Sequence, residues 1–314
     1  MPYRLDSRES AENGLRRCAR EQLDSAIDEL TAGVRKDPVE AVHSARKDLK
    51  KERSLLRLFR GTLDPAERRR ENDAVRHAAQ LLSTARDAEV MVQALDDLSE
   101  RFAGQVPKRT FTTIRKQLTA ERDPARASLL DSGLTDDVAD ELKAVRARID
   151  DWRLGRGGWR AIESGLDRSY RRGRSGLERA AAEPSVENFH EWRKRTKDLW
   201  YHLRVLTPIS PGIVGGQAKD AHRLADLLGD DHDLAVLRKR LEQTADAITA
   251  DLDPAFGLID HRREQLQQEA VLLGRRLYAE KPSAFSRRLH RYWKAWRRGA
   301  RAAGAPRPTA AALG

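Results

Sequence analysis

Cysteine is almost absent from the 314-residue sequence, since Cys18 is the only one. A single cysteine cannot form an internal disulfide or supply a multi-cysteine metal site, so nothing indicates an oxidising compartment. No apolar run approaches the roughly 20 residues that cross a bilayer, and the first residues lack the apolar core of a signal peptide. We therefore expect a folded cytoplasmic protein that does not contact a membrane.

Aromatic residues and catalytic motifs are also scarce. Phe, Trp and Tyr make up 5% of the chain, which leaves few platforms for stacking bases. The sequence contains no GxxxxGK[ST] phosphate loop, no HExxH or GxSxG motif, and no cysteine nucleophile with a matching base. These absences favour a binding protein that carries out no chemical step and needs no cofactor.

Basic residues, in contrast, are in excess. The chain has 60 Lys and Arg against 49 Asp and Glu, for a formal net charge of +11 at pH 7. Such an excess favours phosphate-rich partners, namely nucleic acid, polyphosphate or an anionic membrane surface. Charge alone does not distinguish these partners, so the positions of the basic residues must do so.

Apolar residues recur at helical spacing along most of the chain, and no stretch alternates as a strand does. Asp37 followed by Pro38 predicts a helix that runs to about Phe59, because aspartate caps a helix and proline fits its first turn. Further prolines divide the chain into roughly eight or more helices. These prolines follow Asp64, Asp123, Glu183, Thr207, Asp253 and Lys281.

An internal repeat is the most informative feature. Residues 43–50, HSARKDLK, reappear as HEWRKRTK at residues 190–197, an offset of 190 − 43 = 147. Residues 81–90 and 227–236 repeat two leucines, a basic residue before Asp, and a valine. The repeat predicts two homologous halves, residues 1–154 and 155–300, with a glycine-rich boundary and a flexible tail at 301–314.

Each half carries a basic stripe on one face of a predicted helix, opposite an apolar face that packs inward. The first stripe contains His43, Arg46, Lys47, Lys50, Arg53 and Arg57, and the second contains His190, Arg193, Lys194, Lys197 and Arg204. The stripes stack like charges three, four and seven residues apart without the usual counter-charges, which costs free energy unless an anion neutralises them. Arg and Lys suit phosphate, and His donates to it without needing a full charge. Weaker basic candidates precede each stripe, and of these we assign Arg20, Arg171 and Arg174 to the site. The full set is Arg16, Arg17, Arg20, Arg168, Arg171, Arg172 and Arg174.

Three other interpretations remain open. A basic helix face is commonly only a solvated surface. A groove lined with cations also binds nucleic acid without sequence specificity, although a simple polyanion fits the scarcity of aromatics better. A helical metal-dependent phosphohydrolase of the HD type would use His232 and Asp233 together with His190, His202 or His222.

The repeated HxxRKxxK stripe, with an LLxxxRDxxV-like segment in each half, resembles the CHAD domain, the conserved histidine α-helical domain. The resemblance extends from about residue 10 to about residue 298, and His232 replaces the arginine of the second segment. It implies an all-α fold of two four-helix bundles related by a pseudo-twofold axis, with a basic central surface that binds inorganic polyphosphate.

The resemblance also assigns residues. It places the family's histidine at His43 and His190, and its basic partners at Arg46, Lys47, Lys50, Arg53, Arg193, Lys194 and Lys197. Trp200 stands where the first half has Arg53, and Asp198 where it has Lys51, so we expect weaker binding by the second stripe. No ExExK strand of the CYTH triphosphatase domain is present. We therefore expect a standalone polyphosphate-binding protein, with targeting to polyphosphate granules as a hypothesis.

Overall fold

The structure, a computed structural model, describes residues 3–105, 107–131, 133–245, 248 and 251–304, without the side chains of 84–88, 125–131 and 301–304. These residues form eleven α-helices and no strand, which confirms the predicted all-α class. The helices are α1 (Ala11–Thr31), α2 (Pro38–Leu58), α3 (Pro65–Leu81), α4 (Ser83–Arg101), α5 (Lys108–Asp131), α6 (Leu134–Ala147), α7 (Glu163–Ala182), α8 (Val186–Leu206), α9 (Pro211–Gln243), α10 (Asp253–Leu277) and α11 (Pro282–Gly304). None of these described helices is long and apolar enough to cross a bilayer.

Most of the predicted helix boundaries are confirmed. Helix α2 begins at Pro38 and ends at Leu58, and the Asp37 carboxylate accepts the N–H groups of Val39 and Glu40 at 3.1 Å each. Asp64 caps α3 in the same way, and α7 ends just before Glu183. Capping satisfies N–H groups that have no partner within the helix, so these short sequence signals fix the helix starts.

The boundary predicted at Pro124 is wrong, because Pro124 lies inside α5. An interior proline removes one backbone hydrogen bond and costs about 3 kcal/mol, but it does not forbid a helix that tertiary packing supports. The preceding turns of α5 have this support: Ile114 and Leu118 are buried, and Arg240 of α9 donates to the Glu121 carboxylate at 2.8 Å.

The helices form two rings of four. In the first half α1, α2, α3 and α6 each pack against the next, and in the second half α7, α8, α9 and α10 do so. Helix α4 packs against α5 and α9, and α11 packs against α7. The buried apolar residues of both halves form one continuous core, so the halves are joined by packing as well as by the chain. The pseudo-twofold relation and the domain limits stay predictions.

The glycine-rich segment between the halves is held by the first half. The N–H of Gly155 donates to the Thr62 carbonyl at 2.9 Å, and that of Gly158 donates to the Glu12 carboxylate at 3.0 Å. Helix α11 extends to Gly304, and the rest of the predicted tail lies outside the described residues. Cys18 is fully buried in α1, and burial raises the pKa of its thiol to about 12, so it is an unreactive core residue.

Helices α2 and α8, which carry the two stripes, pack directly against each other. At the contact the imidazole of His202 is fully buried and its Nε2–H donates to the Ser54 carbonyl at 2.8 Å. Burial lowers the pKa of His202 to about 4, so the ring is neutral at pH 7. Ser54 in turn donates its hydroxyl to the Asp198 carbonyl at 3.4 Å. This contact fixes the position of one basic helix relative to the other.

Candidate anion-binding site

The apolar face predicted opposite each stripe is confirmed. Leu49 and Leu55 of α2 and Leu199 and Leu203 of α8 are all fully buried. The stripe residues lie at the surface: Lys47, Lys50 and Lys194 are exposed, and the half-buried members are His43, Arg46, Arg53, Arg57, His190, Arg193, Lys197 and Arg204. The amphipathic pattern therefore turns both stripes outward, as helical geometry requires.

The end of the first stripe opens into a cavity of about 250 Å³ between α2, α3, α7 and α8. Seven arginines line this arginine cavity, together with a single carboxylate, that of Asp198. The arginines are Arg53, Arg57, Arg60, Arg68, Arg168, Arg172 and Arg195. Both halves of the chain contribute, because α2 and α3 precede the glycine-rich boundary while α7 and α8 follow it.

The few carboxylates at the cavity do not neutralise it. Asp198 pairs with Arg57 at 3.0 Å and with Arg195 at 3.3 Å, and Glu191, which lies outside the lining, pairs with Arg172 at 3.3 Å and with Arg195 at 2.5 Å. Among the described residues, Arg60, Arg68 and Arg168 form no ion pair. An excess of positive charge in a partly enclosed cavity attracts anions, and guanidinium groups bind phosphate oxygens in a bidentate way.

The like charges in the cavity destabilise one another. Burial, and then the neighbouring Arg57, lower the pKa of Arg53 to about 10. Burial followed by neighbouring arginines also lowers the pKa values of Arg60, Arg68 and Arg172. Perturbed pKa values of this kind cluster at functional sites, and the negative charge of a bound anion would stabilise the charged guanidinium groups and so oppose the shift.

The start of the second stripe contains a pair of histidines. The Nδ1 atoms of His190 on α8 and His232 on α9 lie 3.1 Å apart, so one donates a hydrogen bond to the other. Burial and the nearby Arg193 lower the pKa of His232 to about 3, and burial and Lys194 lower that of His190. Both rings are therefore neutral at pH 7 and present imidazole groups beside three cations of the stripe.

The structure brings together only two of the four histidines of the metal-hydrolase interpretation. Only His190 meets His232, because His202 lies at the contact between α2 and α8, and His222 pairs with Asp226 at 2.5 Å. Within the part of the chain that the structure describes, no three His, Cys, Asp or Glu side chains are grouped so as to hold a metal ion. The side chains of Arg86 and Asp87, which align with His232 and Asp233, lie outside the described residues.

Of the predicted binding residues, Arg53 and Arg57 line the arginine cavity, and the three weaker candidates lie outside it and form ion pairs. Arg20 pairs with Asp150, and Arg171 with Asp167. Arg174 pairs with Glu178 at 3.1 Å and donates to the Glu280 carbonyl. Of the basic residues on α7, only Arg168 and Arg172 reach the cavity. They do so because residues four apart share a helix face.

The expectation that the stripes lack counter-charges is wrong at Arg57 and at Lys194. Arg57 pairs with Asp198, and Lys194 pairs with Glu191 at 2.6 Å. The partner of Arg57 comes from the other basic helix, so spacing within α2 gave no sign of it. The Arg204 guanidinium lies 5.4 Å from the centre of the Trp200 ring, a cation–π contact.

Sequence reasoning missed three arginines of the cavity. Arg60 had a usable signal, because it follows Arg57 by three residues and extends the stripe just past the end of α2. Arg68 is one of three consecutive arginines, and nothing local distinguishes it. Arg195 lies about 140° away from His190 around α8, off the predicted stripe. It reaches the cavity because α8 packs against α2.

The fold and the site together define a class: an all-α protein in which two basic helices meet beside an arginine-lined cavity. The structure is similar to that of PptA from Streptomyces chartreusis, with a TM-score of 0.61, 14% sequence identity, and coverage of 87% of this chain and 100% of that chain. At that identity the likeness establishes a shared fold. The sequence profile of the CHAD domain matches residues 17–242, so the chain belongs to the CHAD domain family.

Two proteins of Mycobacterium tuberculosis are similar in sequence. They are "Uncharacterized protein MT2285" of strain CDC 1551 / Oshkosh and "Uncharacterized protein Rv2226" of strain ATCC 25618 / H37Rv. Each is 31% identical over 264 residues, which cover 77% of this chain and 47% of the relative. The chain thus spans about half the length of the curated relatives it matches.

Proposed function

We propose that this protein binds inorganic polyphosphate, without a chemical step, over a basic surface made of the two stripes and the arginine cavity. The observation that carries the proposal is the cavity itself, in which seven arginines face a single lining carboxylate. Membership of the CHAD family supports the choice of ligand, because the sequence resemblance to that family implied inorganic polyphosphate.

The energetics also favour a polyanion. Burial and mutual repulsion disfavour the charged forms of Arg53, Arg60 and Arg68 in the protein without ligand. A phosphate chain supplies negative charge at close, regular spacing, so it can neutralise several guanidinium groups at once. Each hydrogen bond to a charged group contributes about 1.5–3 kcal/mol, and several along one chain add multivalent affinity.

The shape of the cavity favours an inorganic chain over nucleic acid. A cavity of about 250 Å³ is smaller than most small-molecule sites, and its described lining residues include no aromatic side chain. A base would therefore find no ring to stack on there, whereas a phosphate chain needs none. Association with polyphosphate granules would follow from the same affinity.

The proposal is tested by calorimetric titration with long-chain polyphosphate, single-stranded DNA and pyrophosphate at physiological ionic strength, because low salt exaggerates every electrostatic affinity. We expect tight polyphosphate binding, with log affinity falling linearly as log salt concentration rises, and much weaker binding of DNA. Equal affinity for the two polymers would indicate a non-selective basic surface and would overturn the ligand assignment. Phosphate release from the bound polymer would overturn the non-catalytic part of the proposal.

A further inference from the structure

A second groove lies between α2, α8 and α9 and includes repeat equivalents of residues that line the arginine cavity. Its volume is about 860 Å³. Arg53 maps onto Trp200 and Arg57 onto Arg204 at the offset of 147, and Asn72 maps onto Ala218 at the offset of 146 that relates the start of α3 at Pro65 to the start of α9 at Pro211. We call this the tryptophan groove. The same framework thus forms two openings with different chemistry.

The tryptophan groove retains a strong positive charge. Lys47 and Lys51 of α2, Arg204 of α8 and Lys219 of α9 line it, and no carboxylate is among its described lining residues. The Lys51 ammonium is partly neutralised by Asp48 at 2.5 Å, which leaves the other three cations for a ligand. These three cations are sufficient to bind several phosphate groups of one ligand.

The groove differs from the arginine cavity in having an aromatic wall. The rings of Trp200 and His222 are 4.0 Å apart between centroids and are tilted by 51°. Trp200 is half-buried and stacks on Tyr201 at 4.5 Å, and the 47% exposed His222 side chain pairs with Asp226. The parts of the two rings that these contacts leave uncovered line the groove. An aromatic wall beside cations accommodates a ligand that has both a flat ring and phosphates, as a nucleotide does.

Three glycines of α9 line the groove, and no neighbouring atom is close enough to require glycine at these positions. Gly212, Gly215 and Gly216 lie in the first turns of α9, although glycine is unfavourable in a helix. A Cβ atom added at Gly212 or Gly216 would meet nothing within 4 Å, and one at Gly215 would meet only the Thr207 methyl at 3.4 Å. Absent side chains leave the backbone open to close approach by a ligand.

We propose that the tryptophan groove binds a nucleoside polyphosphate, with its base against Trp200 and His222 and its phosphates on Lys47, Lys219 and Arg204. This goes beyond polyphosphate binding, because it assigns a second ligand class to an opening that shares only Lys47 and Arg204 with the stripes. The arginine cavity remains a site for phosphate alone.

The test is calorimetric titration of the whole chain with ATP and with inorganic triphosphate, both in EDTA. The two probes share the triphosphate and differ in the nucleoside. Stacking on one aromatic side chain gives ATP an expected preference of about tenfold. Trp200→Leu is expected to abolish that preference while inorganic triphosphate still binds, and Trp200→Phe to restore part of it.

A matched control separates the two openings. Arg53→Leu changes the repeat equivalent of Trp200, so it is expected to weaken binding of long-chain polyphosphate and to leave the preference for ATP intact. Equal affinities of the wild type for ATP and triphosphate would overturn the nucleotide site while leaving polyphosphate binding standing. A preference that survives Trp200→Leu would also overturn it. If short single-stranded DNA bound more tightly than ATP, and if that binding depended on Trp200, the ligand of the groove would be nucleic acid and the nucleotide proposal would be wrong.

The glycines supply a second test that does not depend on Trp200. Gly212→Ala with Gly216→Ala is expected to raise the melting temperature, because alanine favours the helix and the added methyl groups meet no neighbour. The same variant is expected to bind ATP several-fold more weakly. Unchanged ATP affinity in this more stable protein would contradict the role assigned to the open backbone.

Discussion

Arg68 provides the sharpest test of the arginine cavity. It is half-buried, lines the cavity and, among the described residues, forms no ion pair, so its guanidinium is available to a phosphate. Arg68→Ala removes a charge-assisted contact that contributes about 1.5–3 kcal/mol, which corresponds to about 10- to 150-fold weaker binding. The assay is calorimetric titration with long-chain polyphosphate at physiological ionic strength.

The neighbouring Arg69→Ala variant is the matched control. Arg69 has the same charge on the same helix, but it is exposed and does not line the cavity. Because Arg69 is exposed and does not reach into the cavity, solvent and salt screen its charge and it makes no direct contact with a bound phosphate, so we expect only about a twofold effect. Equal losses of affinity in the two variants would refute a specific cavity and leave only a diffuse basic surface.

Stability gives an independent check on Arg68. Burial and the positive charges of Arg69, Arg168 and Arg57 lower the pKa of Arg68, so its charged form is disfavoured in the folded protein without ligand. Arg68→Ala is therefore expected to leave the melting temperature unchanged or to raise it. A large decrease would mean that Arg68 has a structural role and that its loss weakens binding through misfolding.

Four further predictions concern the stripes, Lys197, His202 and the junction of α2 with α7. Two double variants test the stripes: Arg46→Ala with Lys50→Ala, and Arg193→Ala with Lys197→Ala. Each should weaken polyphosphate binding in titrations while the circular dichroism spectrum stays helical. Unchanged affinity would refute the role of the stripes in binding. Burial and Arg193 lower the pKa of Lys197 to about 8, so wild-type affinity should fall as pH rises from about 7 to about 9, and Lys197→Arg should lessen the fall. The pKa of His202 is lowered from 6.5 to about 4, so the unfolded chain takes up a proton at a higher pH than the folded protein does. The free energy of unfolding, measured with denaturant, should therefore decrease as the pH falls from about 6.5 to about 4, and it should decrease less in His202→Gln. A Cβ at Gly165 would lie 2.2 Å from the Leu58 carbonyl oxygen, so Gly165→Ala should destabilise the fold by about 1–3 kcal/mol or more, whereas Gly257→Ala, which meets nothing within 4 Å, should not.

Local sequence signals predicted the elements that carry the site. Asp37 and Pro38 marked the start of α2, and leucines at helical spacing separated its buried face from its basic face. These features are predictable because capping and amphipathicity depend on residues within a few turns of one another. The interior Pro124 of α5 was not predictable in this way, because packing on α4 and the Arg240–Glu121 contact with α9 support the turns that precede it.

The assembled site was only partly predictable. Arg53 and Arg57 belonged to the predicted stripe, whereas Arg195 lay off it and Arg68 carried no distinguishing signal. Arg171 and Arg174 were preferred to Arg168 and Arg172, although the latter two line the cavity. The choice between faces of α7 depends on how that helix rotates against α2 and α8, which short-range spacing does not encode.

The sequence by itself determined that the chain is helical, that it repeats a basic helix, and that the basic faces point outward. Those properties follow from helical periodicity, capping and the exclusion of charge from an apolar core. Only the tertiary structure decided which charges meet. The contact of α2 with α8 at Ser54 and His202 brings arginines more than 100 residues apart into one cavity and pairs Arg57 with Asp198 across the halves. Such proximity depends on packing of the whole core, so no local pattern could reveal it.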